Sequence, residues 1–333
     1  MESLCGNLVL LLGDLLVLRL ARDGLRGIIA AVILGPLLSF VFVGLWSRLA
    51  WANGFLVLQL LCWWIFLHTP LILVWVRRDR VAVGVAVVLW LVAADAWLIE
   101  PRWLEVTRVS LPGPPMRIAL VADLQTDRIG AYEEEVFRLI RAEDPDLVLF
   151  AGDYLQLDHG ADREPELAKL RSLLQSLRPR LGGYAVQGDV EKTGWSDIFE
   201  GTAIVPLTET STLEVGGLTL SGLTVADGRR DNLTLPEVPG FHLVLGHAPD
   251  FWHTPARRDL NLAGHTHGGQ IQLPGIGPLI TLADVSRDEA DGLTEEGDAR
   301  LYVSRGLGLE RRQAPRIRFL CRPELVFITL QGG

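Results

Sequence analysis

The chain has 333 residues, of which 49% are hydrophobic and 21% charged, and its mean hydropathy is +0.28. Such an apolar, aperiodic composition excludes disorder, collagen and a coiled-coil rod. A formal net charge of -9 with no basic stripe argues against a nucleic-acid grip. Three cysteines, Cys5, Cys62 and Cys321, are too few and too scattered for a disulfide framework or a zinc-thiolate site.

Apolar residues concentrate in the first third. Segments 28–46, 54–76 and 81–99 each approach the roughly 20 residues that cross a hydrocarbon core of about 30 Å. His68 and Asp95 are their only titratable groups. A shorter segment, 4–18, contains Asp14 and either spans or lies in the interface. A buried helical core or a single signal peptide explains one such stretch but not three in succession. The expectation is an all-α transmembrane region of 3–4 helices over residues 1–103, followed by a catalytic domain over 104–333. Arg19, Arg22 and Arg26 share one loop and Arg77, Arg78 and Arg80 another, whereas the loop between them offers only Arg48. Basic loops stay cytoplasmic. That places the remainder of a multi-pass inner-membrane protein on the extracytoplasmic side. Tryptophans 46, 51, 75, 97 and 103 suit an interfacial belt. Asp14, His68 and Asp95 are read as part of an anchor, because no transport signature of repeated or broken spans accompanies them.

After Glu105 the pattern changes to short apolar runs alternating with amphipathic stretches. Five runs end in a small residue followed by a polar one: Ala122-Asp123, Gly152-Asp153, Gly188-Asp189, Gly246-His247 and Gly264-His265-Thr-His267. Runs of this length read as buried strands, and the small residue lets the backbone turn at the strand end. Between them, Val136, Leu139 and Ile140 share one helical face, as do Leu167, Leu170, Leu174 and Leu177. Alternating strands and helices predict a helix-covered sheet with its functional crevice beyond the strand C-termini. Thr212–Leu220 reads as a hairpin on Gly216-Gly217. Leu301–Ser304 and 317–330 add strands, so a second, more antiparallel sheet is expected.

Three aspartates and three histidines at one edge form an oxygen and nitrogen ligand set for divalent transition metals. One carboxylate can bridge two ions about 3.5–4 Å apart, the arrangement that clamps both oxygens of an in-line phosphoryl displacement. A lone strand-end aspartate is commonly just a cap. Five such endings with a His-x-His pair are not explained that way.

These residues resemble the calcineurin-like metallophosphoesterases, specifically a membrane-anchored branch with N-terminal spans. The resemblance covers about 117–330. It is carried by Gly264-His-Thr-His-Gly-Gly-Gln270, Gly246-His247, Gly152-Asp153, Tyr302-Val-Ser-Arg-Gly-Leu-Gly308 and Cys321-Arg-Pro-Glu-Leu325. It implies an α/β fold, the family's four-layer α/β/β/α sandwich, and phosphoester hydrolysis by a metal-bound hydroxide. Matched residue by residue, Asp123, Asp153 and His267 hold one ion and Asp153, His247 and His265 the other, with Asp153 bridging. Two departures alter the ligands. Gln125 stands where the family has a histidine, and Asp189 where it has an asparagine. One imidazole less and one carboxylate more favour Mn or Mg over Zn or Fe.

A third departure is Val190, at the position of a family histidine that protonates the leaving group or steadies the phosphate. The candidate catalytic groups are therefore Asp153, Glu191 as a substitute acid, and Arg305 as a phosphate fork. Their bland alternatives are a solvated loop carboxylate for Glu191 and a clasp on the C-terminal segment for Arg305. His159 and His253 read as surface residues and His242 as structural. The expected partners are the lipid bilayer and a phosphate ester, lipid-linked if location is the guide, with no nucleic acid. A catalytically impaired metal-binding domain acting as sensor or scaffold is the alternative, motivated by Val190 and Gln125.

Overall fold

The computed structural model describes residues 13–19, 22, 54–158, 160–311 and 314–332. The chain divides into two compact units, Met1–Ile99 with Glu310–Arg316, and Glu100–Leu309 with Ile317–Gly333. Glu100, at the start of the second unit, is buried, and its carboxylate accepts the Leu320 N–H at 2.8 Å.

In the first unit, helix α1 (Gly54–Trp63) passes through a wider π-type turn at Trp64–His68 into α2 (Thr69–Arg77). Pro70 explains the widening. It has no N–H to donate and its ring crowds the carbonyl four residues back, so the ladder is re-spaced there and the Thr69 N–H reaches Trp64 O. Arg78, left-handed at φ 55°, ends α2. Asp79 then caps α3 (Arg80–Ala94) by accepting from Ala82 N–H at 2.9 Å. Two helices among the described residues, Leu58–Arg77 and Arg80–Arg102, are long and apolar enough to cross a membrane. The predicted segment 28–46 lies outside the described residues, and 4–18 is described only from 13, where residues 13–19 are helical. Asp14 meets the His68 imidazole at 3.0 Å.

The second unit contains two six-stranded sheets. The first has the order β1 (Glu105–Pro112), β14 (Glu324–Gln331), β2 (Met116–Val121), β3 (Leu147–Phe150), β4 (Gly183–Ala185) and β5 (Ile204–Pro206). β2 to β5 run parallel. The C-terminal strand β14 enters between β1 and β2, parallel to one and antiparallel to the other. It therefore joins the first sheet and not the second, as the sequence suggested. The second sheet has the order β12 (Gly292–Glu296), β13 (Ala299–Val303), β9 (Leu260–Ala263), β8 (His242–Leu245), β7 (Leu218–Gly222) and β6 (Ser211–Val215). Its middle strands are parallel, and only the edge pairs β12–β13 and β6–β7 are antiparallel.

Period-two alternation sends the side chains of each central strand to two different cores. Ile118, Leu120 and Leu149 pack with Leu220, Leu243 and Leu262 between the sheets. Val121, Val148 and Phe150 face the other way, onto α4 (Ala131–Glu143) and α5 (Glu164–Gln175). Both faces are apolar, so these strands read as continuous hydrophobic runs. α5 buries Leu167, Leu170 and Leu174 as its spacing predicts, while α4 buries Val136, Phe137 and Ile140 and leaves Leu139 partly covered. The outer face of the second sheet departs from a helical fourth layer. Phe251 and Trp252, from the tight turn Pro249–His253, together with Leu223, Leu233 and Leu235 from loops, cover it. The one α-turn on that stretch is α6 (Val225–Gly228).

Arg318 is fully buried, and its guanidinium donates to the carbonyls of Arg305, Gly306, Gly308 and Cys321. It thereby gathers the 305–308 loop, whose Leu307 and Gly308 N–H groups both donate to Asp123 O. Arg318→Met should leave several buried carbonyls unpaired and lower stability by about 3 kcal/mol or more, at about 1–3 kcal/mol per orphaned group. Chemical denaturation measures this, and a midpoint within error of wild type would remove Arg318 as the keystone of that loop.

Candidate metal centre

Parallel strands end on the same side. β2, β3 and β4 deliver Asp123, Asp153 and Asp189, and across the shared core β8 and β9 deliver His247, His265 and His267. Of the ten described non-glycine residues with left-handed φ, six lie on these endings: Asp123 (47°), Gln125 (35°), Asp153 (56°), His265 (70°), His267 (51°) and Gln270 (57°). Such strain persists only where surrounding structure over-determines it, and it clusters at functional sites. Close backbone approach accompanies it. A methyl group on Gly152 would lie 2.6 Å from Gly188 Cα and 2.7 Å from His247 Nδ1.

The polar atoms converge. Ligand atoms of Asp123, Asp153 and His247 lie within 4.8 Å of one another, as do those of Asp189, His247 and His265. His247 Nε2 is 3.6 Å from Asp153 Oδ1 and 3.8 Å from Asp189 Oδ1, and His265 Nδ1 is 3.4 Å from Asp189 Oδ2. Outer atoms are fixed by the backbone. Val190 N–H donates to Asp153 Oδ1 at 3.0 Å, and His265 N–H donates to the Asp123 carboxylate at 2.9 Å.

The tautomers follow from these contacts. His247 Nδ1 lies 2.8 Å from Ala151 O and His265 Nε2 lies 2.9 Å from Leu282 O. A carbonyl only accepts, so each of those nitrogens carries the hydrogen. Arg229 Nη2, 3.2 Å from His265 Nε2, instead donates to Asp189 Oδ2 at 2.9 Å. The facing atoms, His247 Nε2 and His265 Nδ1, are 3.2 Å apart. In neutral rings both are lone pairs, and carboxylate oxygens surround them. Two imidazole lone pairs facing each other among carboxylate oxygens call for a proton or a metal cation.

The ionisation equilibria show the same demand. Burial raises Asp123 to about 7 against the pull of His247, and burial also raises Asp153. Burial opposes charge on His247, but Asp153, Asp189 and Asp123 outweigh it and lift the imidazole to about 10. Asp189 is held below the usual carboxylate range, despite burial, by His247, His265 and Arg229. Burial and the neighbouring His247 lower His265 to about 4. His267 is also depressed, chiefly by burial. Its buried Nδ1 has no hydrogen-bond partner among the described residues. A methyl group on Gly306 would lie 3.2 Å from that atom and 2.9 Å from Asp123 Oδ2, so His267 and Asp123 flank one spot although His267 belongs to neither close group. Carboxylates, neutral imidazole lone pairs and an orphaned buried nitrogen fit divalent ions.

Residues 116–269 match the family described as calcineurin-like phosphoesterase. The uncharacterized metallophosphoesterase YkuE of Bacillus subtilis is 32% identical over 221 residues, 59% of this chain and 72% of its own length. Its fellow YkoQ from the same organism is 29% identical, over 64% of this chain and 82% of its own. Phosphodiesterase YaeI of Escherichia coli is 26% identical, over 69% and 90% respectively. The chain belongs to the calcineurin-like metallophosphoesterases. It is a metal-dependent phosphoric ester hydrolase.

Within this metallophosphoesterase the other expected groups take different places. Gln125 is buried beside the cluster, its Nε2 donating to Gln156 Oε1 at 3.2 Å and its N–H to Asp153 O at 2.8 Å. Glu191 is neither a solvated carboxylate nor placed as an acid. Its two oxygens accept the N–H groups of Tyr154 (2.7 Å), Gly188 (2.8 Å) and Asp153 (3.0 Å), locking the β3 ending against the β4 ending. Arg305 gives way to the clasp reading. Its Nη2 is 3.0 Å from Glu105 and 3.2 Å from Glu324, so it joins β1 to β14. Val190 lines a cleft of about 340 Å³ with Leu155, Leu157, Trp195 and Ile198. His242 is buried, with Nε2 against Ser221 Oγ, and His253 pairs with Glu289 at 3.3 Å; His159 lies outside the described residues. Sequence reasoning missed Arg229, because nothing in Asp227-Gly-Arg-Arg230 announces that its third residue reaches Asp189.

Glu191→Gln should present an NH₂ to N–H donors that need an acceptor. We expect a loss of about 1–3 kcal/mol in stability, together with weakened metal retention at Asp153. A variant of unchanged stability that loses turnover alone would restore Glu191 as an acid.

Proposed function

We propose that the protein hydrolyses a phosphomonoester or phosphodiester at two divalent ions, as a multi-pass membrane protein with its catalytic unit on the extracytoplasmic side. The observation that supports the two-ion assignment is the convergence of carboxylate oxygens on the facing lone pairs of His247 Nε2 and His265 Nδ1. Asp123, Gln125 and His267 are assigned to one ion and Asp189, His247 and His265 to the other, with Asp153 shared. When bound, such ions supply Lewis-acid polarisation of the phosphoryl oxygens and make a water acidic enough to attack near neutral pH.

The chain's own residues orient that chemistry. Ala151 O and Leu282 O hold the two imidazoles in the tautomers that aim lone pairs inward, as outer hydrogen bonds do in metal sites generally. Val190 N–H and the three N–H groups on Glu191 keep Asp153 in place. With valine at 190 and Glu191 committed, neither can protonate a leaving group. Esters with good leaving groups are therefore the favoured substrates. The membrane reading rests on the helices Leu58–Arg77 and Arg80–Arg102. Its orientation rests on the arginine asymmetry of the loops.

Asp153→Asn should cut hydrolysis of bis(p-nitrophenyl) phosphate by at least about 100-fold, beyond the 10–100-fold typical of a residue that merely orients a ligand. Metal content by elemental analysis should fall at both sites. Full occupancy in an inactive Asp153→Asn protein would refute the shared-ligand role.

Metal loading should also expel protons, because ligands bind deprotonated. Burial raises Asp123 to about 7 and also raises Asp153, and the surrounding carboxylates lift His247 to about 10, so the metal-free centre holds protons near neutral pH. Calorimetric titration with Mn²⁺ in buffers of different ionisation enthalpy should thus find protons released on binding near neutral pH, with affinity falling on acidification. Binding without proton release would exclude His247 and the raised carboxylates as joint ligands.

A further inference from the structure

The segment from Gly268 to Ala283 contains no charged residue, in a chain where 21% are charged. It leaves the centre at His267 and forms the hairpin β10 (Gln272–Leu273) and β11 (Gly277–Pro278). The hairpin and its return present Ile276, Leu279, Ile280 and Leu282 to solvent, each 38–52% exposed. Leu320, 53% exposed, lies alongside: Ile271 bridges Phe319, Gln272 N–H donates to Phe319 O at 3.0 Å, and Phe319 N–H donates to Gln270 O at 2.9 Å. Singly scattered surface leucines need no explanation, but adjoining segments that all expose large apolar side chains mark a surface that is covered in use.

Leu320 indicates what covers it. The Glu100 carboxylate accepts the N–H groups of Leu320 (2.8 Å) and Cys321, and Glu100 stands in the last turn of the apolar helix Arg80–Arg102. Trp103 follows, 56% exposed, with the Arg322 guanidinium 4.8 Å from its ring centre. Tryptophan beside arginine at the end of an apolar helix is the composition of a bilayer interface. Within the second unit, the hairpin is thus hydrogen-bonded to Phe319, and the adjoining Leu320 to Glu100. An open groove of about 870 Å³ lies against the same segment. Leu279, Ile280, Leu282 and Val285 line it, together with Arg229, Arg287, Asp250 and Asp284. Leu282 O receives His265 Nε2, and Arg229 reaches Asp189.

We infer that the hairpin and Leu320 form a bilayer-contact surface, and that the groove takes an amphiphilic phosphoester from the membrane, its phosphate toward Arg229 and its apolar part along Leu279, Ile280 and Leu282. This rests on the membrane reading above. The charge-free hairpin replaces water with lipid, and Leu279, Ile280 and Leu282 give an acyl or prenyl chain apolar contact beside Arg229, which reaches Asp189.

The test uses the full chain, lacking Cys5 and Cys62, in phosphatidylcholine–phosphatidylglycerol vesicles that contain nitroxide-labelled lipid. A fluorophore is placed on Ile276→Cys, Leu320→Cys, Leu91→Cys in α3, or Glu134→Cys on α4. Shallow nitroxide should quench positions 276 and 320, deep nitroxide position 91, and neither position 134. Quenching at 91 with 276 and 320 matching 134 would overturn the contact surface and leave the membrane reading standing. Absence of quenching at 91 would overturn both. Signals at 276 that follow protein density instead of lipid label would assign the patch to a second copy and overturn the proposal. In the same vesicles, Ile276→Ser/Leu320→Ser should raise KM for a p-nitrophenyl ester of a long-chain alkyl phosphate about tenfold while turnover of soluble bis(p-nitrophenyl) phosphate stays unchanged. Equal effects on the two substrates would overturn it.

Discussion

The catalytic unit depends on one constraint: several acceptor atoms must be held within 4.8 Å of each other in a site from which water is largely excluded. Carboxylates in that position repel one another, and each buried charge is costly unless compensated. The fold compensates from outside the cluster. His265 N–H serves Asp123, Val190 N–H serves Asp153, and Arg229 serves Asp189. Glu191 works one layer further out, tying three backbone N–H groups so that the endings of β3 and β4 cannot separate. The six left-handed residues at these endings are the conformational consequence. Each costs of order 1–3 kcal/mol, and the two-sided packing of β2, β3, β8 and β9 is what holds them there.

That division explains which parts were legible in the sequence. The strand endings were readable because each is local: an apolar run, a small residue, then a ligand. The Gly216-Gly217 hairpin and the leucine stripe of α5 were local for the same reason. What escaped depends on contacts between distant segments. Asp189 and Arg229 are forty residues apart, Arg305 and Glu105 two hundred. β14 inserts beside β2 although β1 and the ending of β2 lie at the other end of the domain sequence. Glu191 was misjudged because a loop carboxylate beside a ligand looks the same in sequence whether it faces water or backbone N–H groups. The helical fourth layer was inherited from the family resemblance, and here loops and one tight turn bury Phe251 and Trp252 in its stead.

The substitutions in the ligand set act together more than singly. Asp189 adds a carboxylate that would make the centre more anionic and favour harder ions. Arg229 sits 2.9 Å from its outer oxygen and balances much of that added charge, so the expected preference for Mn or Mg over Zn would be correspondingly smaller. Arg229 is half exposed and borders the open groove. Its guanidinium is thus positioned both to restrain Asp189 and to meet an anion approaching along that groove.

Val190 completes this logic from the opposite flank. Its N–H donates to Asp153 Oδ1, and its partly exposed side chain lines a cleft with Leu155, Leu157, Trp195 and Ile198 and with Arg163, Glu191, Lys192 and Thr193. The backbone role needs no particular side chain. On the proposed function, the consequence is loss of a proton donor, which falls on the leaving group and not on metal binding. Such a centre would select esters whose leaving group departs as a stable anion, because for those substrates the missing proton costs little.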